Sequence, residues 1–569
     1  MTFAQLVAEA LAARSVTDAF GIPGAVLLDF LYQAAEKGVR PRMAYNEQSA
    51  AFSACGYAQE KGWGCAFATK GPGATNLLTG MADAYCEGAR VLFLTAHAGP
   101  RDRGGRRLAT NQEVDVVAMA SPVAVVSERV DTMAEALSAL GRALAALDAP
   151  RGGPALLDVR AGLWSEEVKG DVPDVRPAAP RCDGAGALDA RVRSFLDEAE
   201  RPLVLVGQGA RTADDSARRY LASLGAPVVS SRPAVDVAAG VPCYLGYVGS
   251  RGSRAANAAL ARASHLLVLG NRLGFPDASA SFRPVIDRMR VMRLDADEAE
   301  LARSFGAEAR AVDLRAFFSA VALPAASLDP SPERRAWLAE CEATRASLAG
   351  ADATAPVSDL MALLEGLDPD ARIAVDIGNN SHWLSIATVE LGLANRQLHS
   401  HSFGALGSAL GRAIGAALAG APHVVCMVGD QGLQMNSQEL QLVRDLDLPV
   451  TVVILNNATS GMIRDREVDR PGFLLTTADS GYGTPDFAAL AAAYGLSYVR
   501  AADLATSARP ALDRLRAPLV VELPVDATIE ARPNLPAGAP LECQVPPVPG
   551  RRVEAPAALA TDASTPKGA

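Results

Sequence analysis

Two short polar steps stand out as chemistry-bearing: Gly429-Asp430 and, about 25 residues later, Asn456-Asn457, each closing an apolar run. The first run is Val424-Val425-Cys426-Met427-Val428, the second Val450-Thr451-Val452-Val453-Ile454-Leu455, and a helical pattern, MNSQELQLVRDL, separates them. Two strands joined by a helix pair in parallel, and their following loops arrive at one edge of the sheet, where ligands of open α/β sheets bind. Asp430 and Asn457 can therefore meet. A carboxylate, an amide oxygen and the backbone carbonyl of Thr459 just beyond make an oxygen cage suited to Mg²⁺, which completes its octahedron with phosphate oxygens and water. The pattern thus predicts a bound diphosphate.

The elements that must hold this cage recur along the chain. Short apolar runs alternate with Ala/Leu-rich helical patterns from end to end, which predicts βαβ units around parallel sheets, an α/β fold. At 569 residues the chain is too long for one core, and three blocks separate: 1–165, 185–325 and 350–530, with a Pro/Ala-rich tail over 531–569. Strands are expected at Cys65–Ala68, Val91–Leu94 and Ala155–Asp158, then within the runs Pro202–Gly209, His265–Gly270 and Val291–Asp295, and finally at Ile373–Asp376 and the two runs above. A polar, Pro-rich stretch, Glu166 to Gly184, reads as a linker. Lys and Arg total 54 against 64 Asp and Glu, without a long basic run, so nucleic acid is not expected as a partner. The eight cysteines have neither CxxC nor metal-ligand spacing and read as reduced, mostly buried thiols. The N-terminus is an amphipathic helix without a basic start, and no apolar run reaches membrane-spanning length, so a cytoplasmic protein without a membrane partner is expected.

The segment from Gly429 to Leu440, and Leu448-Pro449-Val450 leading to Asn456-Asn457, resemble the thiamine-diphosphate-dependent enzymes, in particular the catalytic (large) subunit of acetolactate synthase. Tyr45-Asn46-Glu47-Gln48-Ser49 through Gly56-Tyr57-Ala58, Lys70-Gly71-Pro72-Gly73-Ala74-Thr75-Asn76 and Gly21-Ile22-Pro23-Gly24 agree with that family in register, as do Tyr244-Leu245-Gly246 and Gly270-Asn271-Arg272. The resemblance covers roughly residues 3 to 541. It implies three doubly wound parallel-sheet domains: pyrimidine-binding, central and diphosphate-binding. It implies thiamine diphosphate and Mg²⁺, with Asp430, Asn457 and Thr459 as metal ligands. Glu47 becomes the carboxylate that hydrogen-bonds N1′ of the aminopyrimidine and so promotes loss of the thiazolium C2 proton. Gly24, Thr69, Gly73, Asn76, Asn379, Asn380, Gly404, Gly429, Gln431, Gly432 and Met462 become cofactor-binding positions, and Leu406 the apolar wedge that bends the cofactor. Gln112, in Asn111-Gln112-Glu113, is an active-site side chain of the entrance loop. The partners implied are a 2-oxo acid, a carbonyl acceptor and further copies of the chain, as a homodimer or homotetramer with active sites between subunits. FAD is left open by a partial glycine pattern at Gly207-Gln208-Gly209 and Gly249-Ser250-Arg251-Gly252.

The chain also departs from that family. Arg466 stands where the acetolactate synthases carry a Trp that helps select the acceptor, and Arg presents a fork of donors matched to carboxylate, sulfonate or phosphate. Asn111 replaces a Phe, and the preceding Arg101-Asp102-Arg103-Gly104-Gly105-Arg106-Arg107 is basic, which points the same way as Arg466. His97 replaces a Gln and, like His399 and His401, is a candidate proton shuttle. Asp158-Val159-Arg160 lacks the family's Pro-Lys-Asp. The leading expectation is carboligation: decarboxylation of a 2-oxo acid, pyruvate first, and transfer of the acyl-anion equivalent to a carbonyl acceptor. Plain decarboxylation or cleavage of a cyclic dione is the alternative. A catalytically silent paralogue is a third reading, against which Glu47, Asp430 and Asn457 all stand.

Overall fold

The computed structural model describes residues 1–99, 111–112, 114–177, 182–274, 279–303, 308–323, 331–468, 472, 474–501 and 517–548. It holds three six-stranded sheets, parallel throughout. In spatial order the first runs Arg40–Met43, Asp18–Ile22, Gly64–Ala68, Val91–His97, Ala155–Arg160, Val126–Val130. The second runs Glu308–Ala311, Arg290–Asp295, His265–Leu269, Pro202–Val206, Val228–Ser230, Tyr244–Tyr247. The third runs Gln397–His399, Arg372–Val375, Val424–Gly429, Val450–Asn456, Leu519–Pro524, Ser497–Arg500. Every strand expected from an apolar run is present, because a strand covered by helices on both faces must be apolar on both. Four of the six outermost strands, Arg40–Met43, Val126–Val130, Glu308–Ala311 and Ser497–Arg500, carry charged residues and stay partly exposed, as edges generally do, while Tyr244–Tyr247 and Gln397–His399 are buried.

The first and third sheets lie in one compact unit, residues 1–180, 362–383 and 395–530; the second forms another with 181–361, 384–394 and 531–569. In the first unit the helix Glu47–Lys61 crosses the helix Ser408–Leu418 at backbone contact. A methyl group on Gly56 would sit 2.3 Å from the Arg412 carbonyl oxygen, and one on Gly415 would sit 1.9 Å from that of Ser53. Glycine is required at both positions by space alone. Beside this crossing Arg412 and Asp83 form an ion pair with both side chains fully buried. Asp83 Oδ1 accepts from Ser400 Oγ at 2.6 Å, and Arg412 Nη1 donates to Gln59 Oε1 at 2.9 Å.

In the second unit residues 531–548 are anchored: Leu535, Ala539 and Leu541 are buried in its core, and Leu535 N donates to Ser250 O at 2.7 Å. All eight cysteines are free thiols, five of them buried. Among the described residues no helix is long and apolar enough to cross a membrane.

Candidate active site

In the third sheet the chain turns outward at one point. From Arg372–Val375 it runs to Gln397–His399 on one side, and then re-enters as Val424–Gly429 on the other. A crevice opens at such a switch, beyond the carboxyl ends of the strands. Three helices begin there: Asn379–Leu391, Asp430–Asn436 and Gly461–Glu467. Each helix start carries roughly half a positive charge, so three together suit a diphosphate.

The sheet register puts Gly429 opposite Leu455, so the Asp430 and Asn457 turns are neighbours. Asp430 is 3% exposed; its Oδ1 accepts from Gln431 N at 2.9 Å, and the Ala458 N–H also acts on the carboxylate. Oδ2 is buried without a hydrogen-bond partner. Burial pushes this carboxyl up to about 6 against those donors. An ionised carboxylate at that depth is costly unless a cation faces it, so the donor set fits a divalent metal. Asn457 Oδ1 accepts from Thr459 N at 3.4 Å. A methyl group on Gly461 would lie 2.6 Å from Asn457 Nδ2 and 3.2 Å from Asn379 Nδ2, so both amides converge on that helix start. Asn379 Nδ2 also donates to Asp465 Oδ2 at 2.9 Å. Asn380 Nδ2 donates to the Asp376 carbonyl at 2.9 Å, and its Oδ1 lies 3.9 Å from where a methyl group on Gly429 would stand.

Asp376, at the end of its strand, is fully buried and accepts from Gly407 N at 2.9 Å and Ser408 N at 3.1 Å. Burial raises it to about 7. Its Oδ2 lies 2.0 Å from where a methyl group on Gly432 would stand, so Gly432 admits it. Asp376 thereby pins the Gly404–Gly407 turn, which carries the half-buried Leu406. Ser400 Oγ holds the same turn from the other side by accepting from Ala405 N at 2.9 Å.

A second cluster forms on the first sheet's edge. Glu47 opens its helix, is 7% exposed and accepts on Oε2 from Asn76 Nδ2 at 3.0 Å. Asn46 caps that helix by accepting from Gln48 N at 2.8 Å. Glu439, 1% exposed and pushed by burial to about 7, accepts from Tyr45 N at 3.0 Å. A methyl group on Gly73 would lie 3.0 Å from both Glu47 Oε1 and Thr69 Cγ2, and one on Gly24 would lie 2.4 Å from Thr69 Oγ1. Gly24, Thr69, Gly73, Asn76 and Glu47 are thus one group. Within the chain this group meets the far end of the Asp430 helix rather than Asp430: Ser49 Oγ donates to Asn436 Oδ1 at 2.6 Å, and Asn436 Nδ2 to the Gly407 carbonyl at 2.8 Å.

The remaining candidates lie further out. Gln112 is exposed, but its carbonyl packs on Gly71, whose φ of +66° and 2.2 Å clearance exclude a side chain. His97 is 2% exposed, with Nδ1 3.1 Å from Gly99 O and Nε2 3.2 Å from Val130 O, so both ring nitrogens face carbonyls of its own sheet edge. His399 Nε2 faces Gln397 Oε1 at 3.1 Å. Met462 is half-buried in the first turn of the Gly461 helix, and Arg466 is exposed in its last turn. The basic stretch 101–107 lies outside the described residues. Sequence reasoning passed over Asp376, Glu439, Gln434 and Tyr482. Asp376 ends an apolar strand as Asp430 does, and that position was signal enough.

Comparison with known proteins agrees with this geometry. Residues 1–119 match the thiamine pyrophosphate enzyme N-terminal TPP binding domain, 190–321 the central domain and 376–523 the C-terminal TPP binding domain, together more than half of the chain. The chain is 29% identical over 552 residues to the acetolactate synthase isozyme 2 large subunit of Escherichia coli, covering 95% of this chain and 98% of that one. It is 28% identical over 561 residues to the acetolactate synthase large subunit of Lactococcus lactis, covering 94% of each. A probable acetolactate synthase large subunit of Methanocaldococcus jannaschii is 27% identical over 578 residues, with 96% of each chain covered. With its three α/β sheets and all three family domains in order, the chain belongs to the thiamine-pyrophosphate-dependent enzymes and resembles the acetolactate synthase large subunit.

Proposed function

We propose that the protein is a thiamine-diphosphate- and Mg²⁺-dependent carboligase that decarboxylates a 2-oxo acid, pyruvate in the first instance, and passes the acyl group to a second carbonyl. The observation that carries this reading is the unpartnered, buried Oδ2 of Asp430 among three helix starts. In this reading Asp430, the Asn457 amide oxygen and the Thr459 carbonyl hold Mg²⁺, and the Asn379 and Gly461 helix starts take the diphosphate oxygens. Gly429, Gln431 and Gly432 line the turn beneath it, with Asn380 and Met462 alongside. When bound, thiamine diphosphate supplies a carbon nucleophile for the 2-oxo acid carbonyl and a sink for the electron pair released with CO₂. Glu47, oriented by Asn76, holds a proton at N1′ of the pyrimidine, with Gly24, Thr69 and Gly73 beside it. Leu406 on its pinned turn keeps the two rings bent. Arg466 and Gln112 face the acceptor, and the fork of Arg466 favours one bearing an anionic group.

The acetolactate synthase relatives support this chemistry. In this reading a homodimer completes the site: within one chain the Glu47 helix meets the Asp430 helix through Ser49 and Asn436, at the end away from Asp430. The test is incubation of the loaded enzyme with pyruvate, alone and with neutral or carboxylated carbonyl acceptors. Acetolactate or a mixed ligation product is expected, and Glu47→Gln should slow exchange of the cofactor's C2 proton by about 10²- to 10⁴-fold. Acetaldehyde as the sole product would favour simple decarboxylation, and no turnover of pyruvate would remove it as donor.

A further inference from the structure

Beside the Asp430 carboxylate lies a group that the proposed chemistry has not used. The turn Thr477–Gly483 is closed by Tyr482 N donating to Thr477 O at 3.2 Å, with Gly481 at a φ of +87° that glycine tolerates. Gln434 Nε2 reaches both the Asp430 carbonyl, at 3.3 Å, and the Gly483 carbonyl, at 3.2 Å, so it ties this turn to the start of the Asp430 helix. The same segment is fastened to the other half of the cage. Thr459 Oγ1 donates to Thr476 O at 2.6 Å, and Thr476 Oγ1 donates to Glu467 Oε2 at 2.8 Å.

The consequence is a tyrosine hydroxyl held next to a carboxylate oxygen. Tyr482 Oη and Asp430 Oδ2 are both buried atoms without a hydrogen-bond partner. The hydroxyl neighbours the Asp430 carboxyl and acts on it as a donor. Polar atoms left unpaired in an interior mark a site completed by something else. A carboxylate oxygen has two lone pairs and can accept from a hydroxyl while it ligates a cation.

We propose that Tyr482 is a positioning residue for the metal ion: its hydroxyl donates to Oδ2 of Asp430 and fixes the carboxylate for coordination, with Gln434 holding the tyrosine's turn in place. This rests on the metal reading of Asp430 given above. Partners that orient metal ligands typically change metal affinity by about 10- to 100-fold when removed.

The experiment is a Mg²⁺ titration of metal-free full-length protein at saturating thiamine diphosphate, read by near-ultraviolet circular dichroism of the bound cofactor. Tyr482→Phe should raise the Mg²⁺ midpoint by about 10- to 100-fold and leave the melting temperature of the metal-free, cofactor-free protein unchanged. Gln434→Ala, which frees the turn but keeps the hydroxyl, should raise the midpoint by a smaller factor. A Tyr482→Phe midpoint within about twofold of the parent, or a loss confined to the melting of the metal-free protein, overturns the assignment. Asp430→Asn separates the two claims. If it abolishes Mg²⁺ dependence while Tyr482→Phe changes nothing, only the tyrosine assignment falls; if it too changes nothing, the metal reading of Asp430 falls, and Tyr482 with it.

Discussion

Replacing Asp83 by Asn removes one negative charge from a pair whose side chains are both fully buried, and alters shape by almost nothing. The amide can still meet Ser400 Oγ, which lies 2.6 Å from Oδ1. What it cannot do is neutralise Arg412, whose remaining hydrogen-bond partner, Gln59 Oε1 at 2.9 Å, is an uncharged amide oxygen and whose other acidic neighbour, Glu87, is itself pushed up by burial to about 7. An exposed pair would cost about 0–1 kcal/mol to break, but an uncompensated charge in the interior costs about 3–5 kcal/mol. Because no cavity is created, nearly all of that cost is electrostatic. The discriminating variant is the double replacement Asp83→Leu/Arg412→Met, which removes both charges and keeps the volume apolar; such exchanges are often neutral or better. Guanidinium unfolding followed by tryptophan fluorescence suits the measurement, since Trp63, Trp164 and Trp383 all lie in the unit containing the pair. The single variant should lose about 3–5 kcal/mol, and the double variant less than the single. A double variant at least as unstable as the sum of its two singles would refute the electrostatic argument and leave packing as the explanation.

Gly415→Ala should destabilise the same unit by at least about 1–3 kcal/mol, measured by the same unfolding curves, because its methyl group would stand 1.9 Å from a backbone oxygen that cannot turn away. Glu439, raised by burial from near 4.5 to about 7, holds its proton more tightly folded than unfolded. It therefore contributes stability that is fully present below about pH 4.5 and is lost as pH rises through about 7, up to roughly 3 kcal/mol. Across that window the stability difference between Glu439→Gln and the parent should grow in favour of the variant; a constant difference would show that Glu439 does not titrate there.

Much of this was legible in the sequence because it depends on local pattern. A strand covered on both faces must be apolar throughout, so Val424–Gly429 and Val450–Asn456 declare themselves, and the polar steps after them declare the crevice. Strands such as Arg40–Met43 carry no such pattern, since an edge needs only backbone pairing. Glu47, Gly73 and Asn76 could be named from the family resemblance, whereas their grouping with Gly24 and Thr69 is a property of the folded sheet edge. Tyr482 and Gln434 were passed over because neither residue type nor spacing signals an atom without a partner; that becomes visible only once the neighbours are in place. His97, whose type suggests proton transfer, lies beside the carbonyls of Gly99 and Val130, with Asp131 Oδ1 3.7 Å from its Nε2.

The crossing at Gly56 and Gly415 leaves no side chain between two backbones, and so no compliant layer to shear. The first and third sheets are joined there without an intervening layer of side chains, and sliding one against the other would require lifting the helices apart. Freedom to admit a cofactor or release a product must then come from segments outside this joint. A residue far from any substrate thus decides which parts of the molecule are allowed to move.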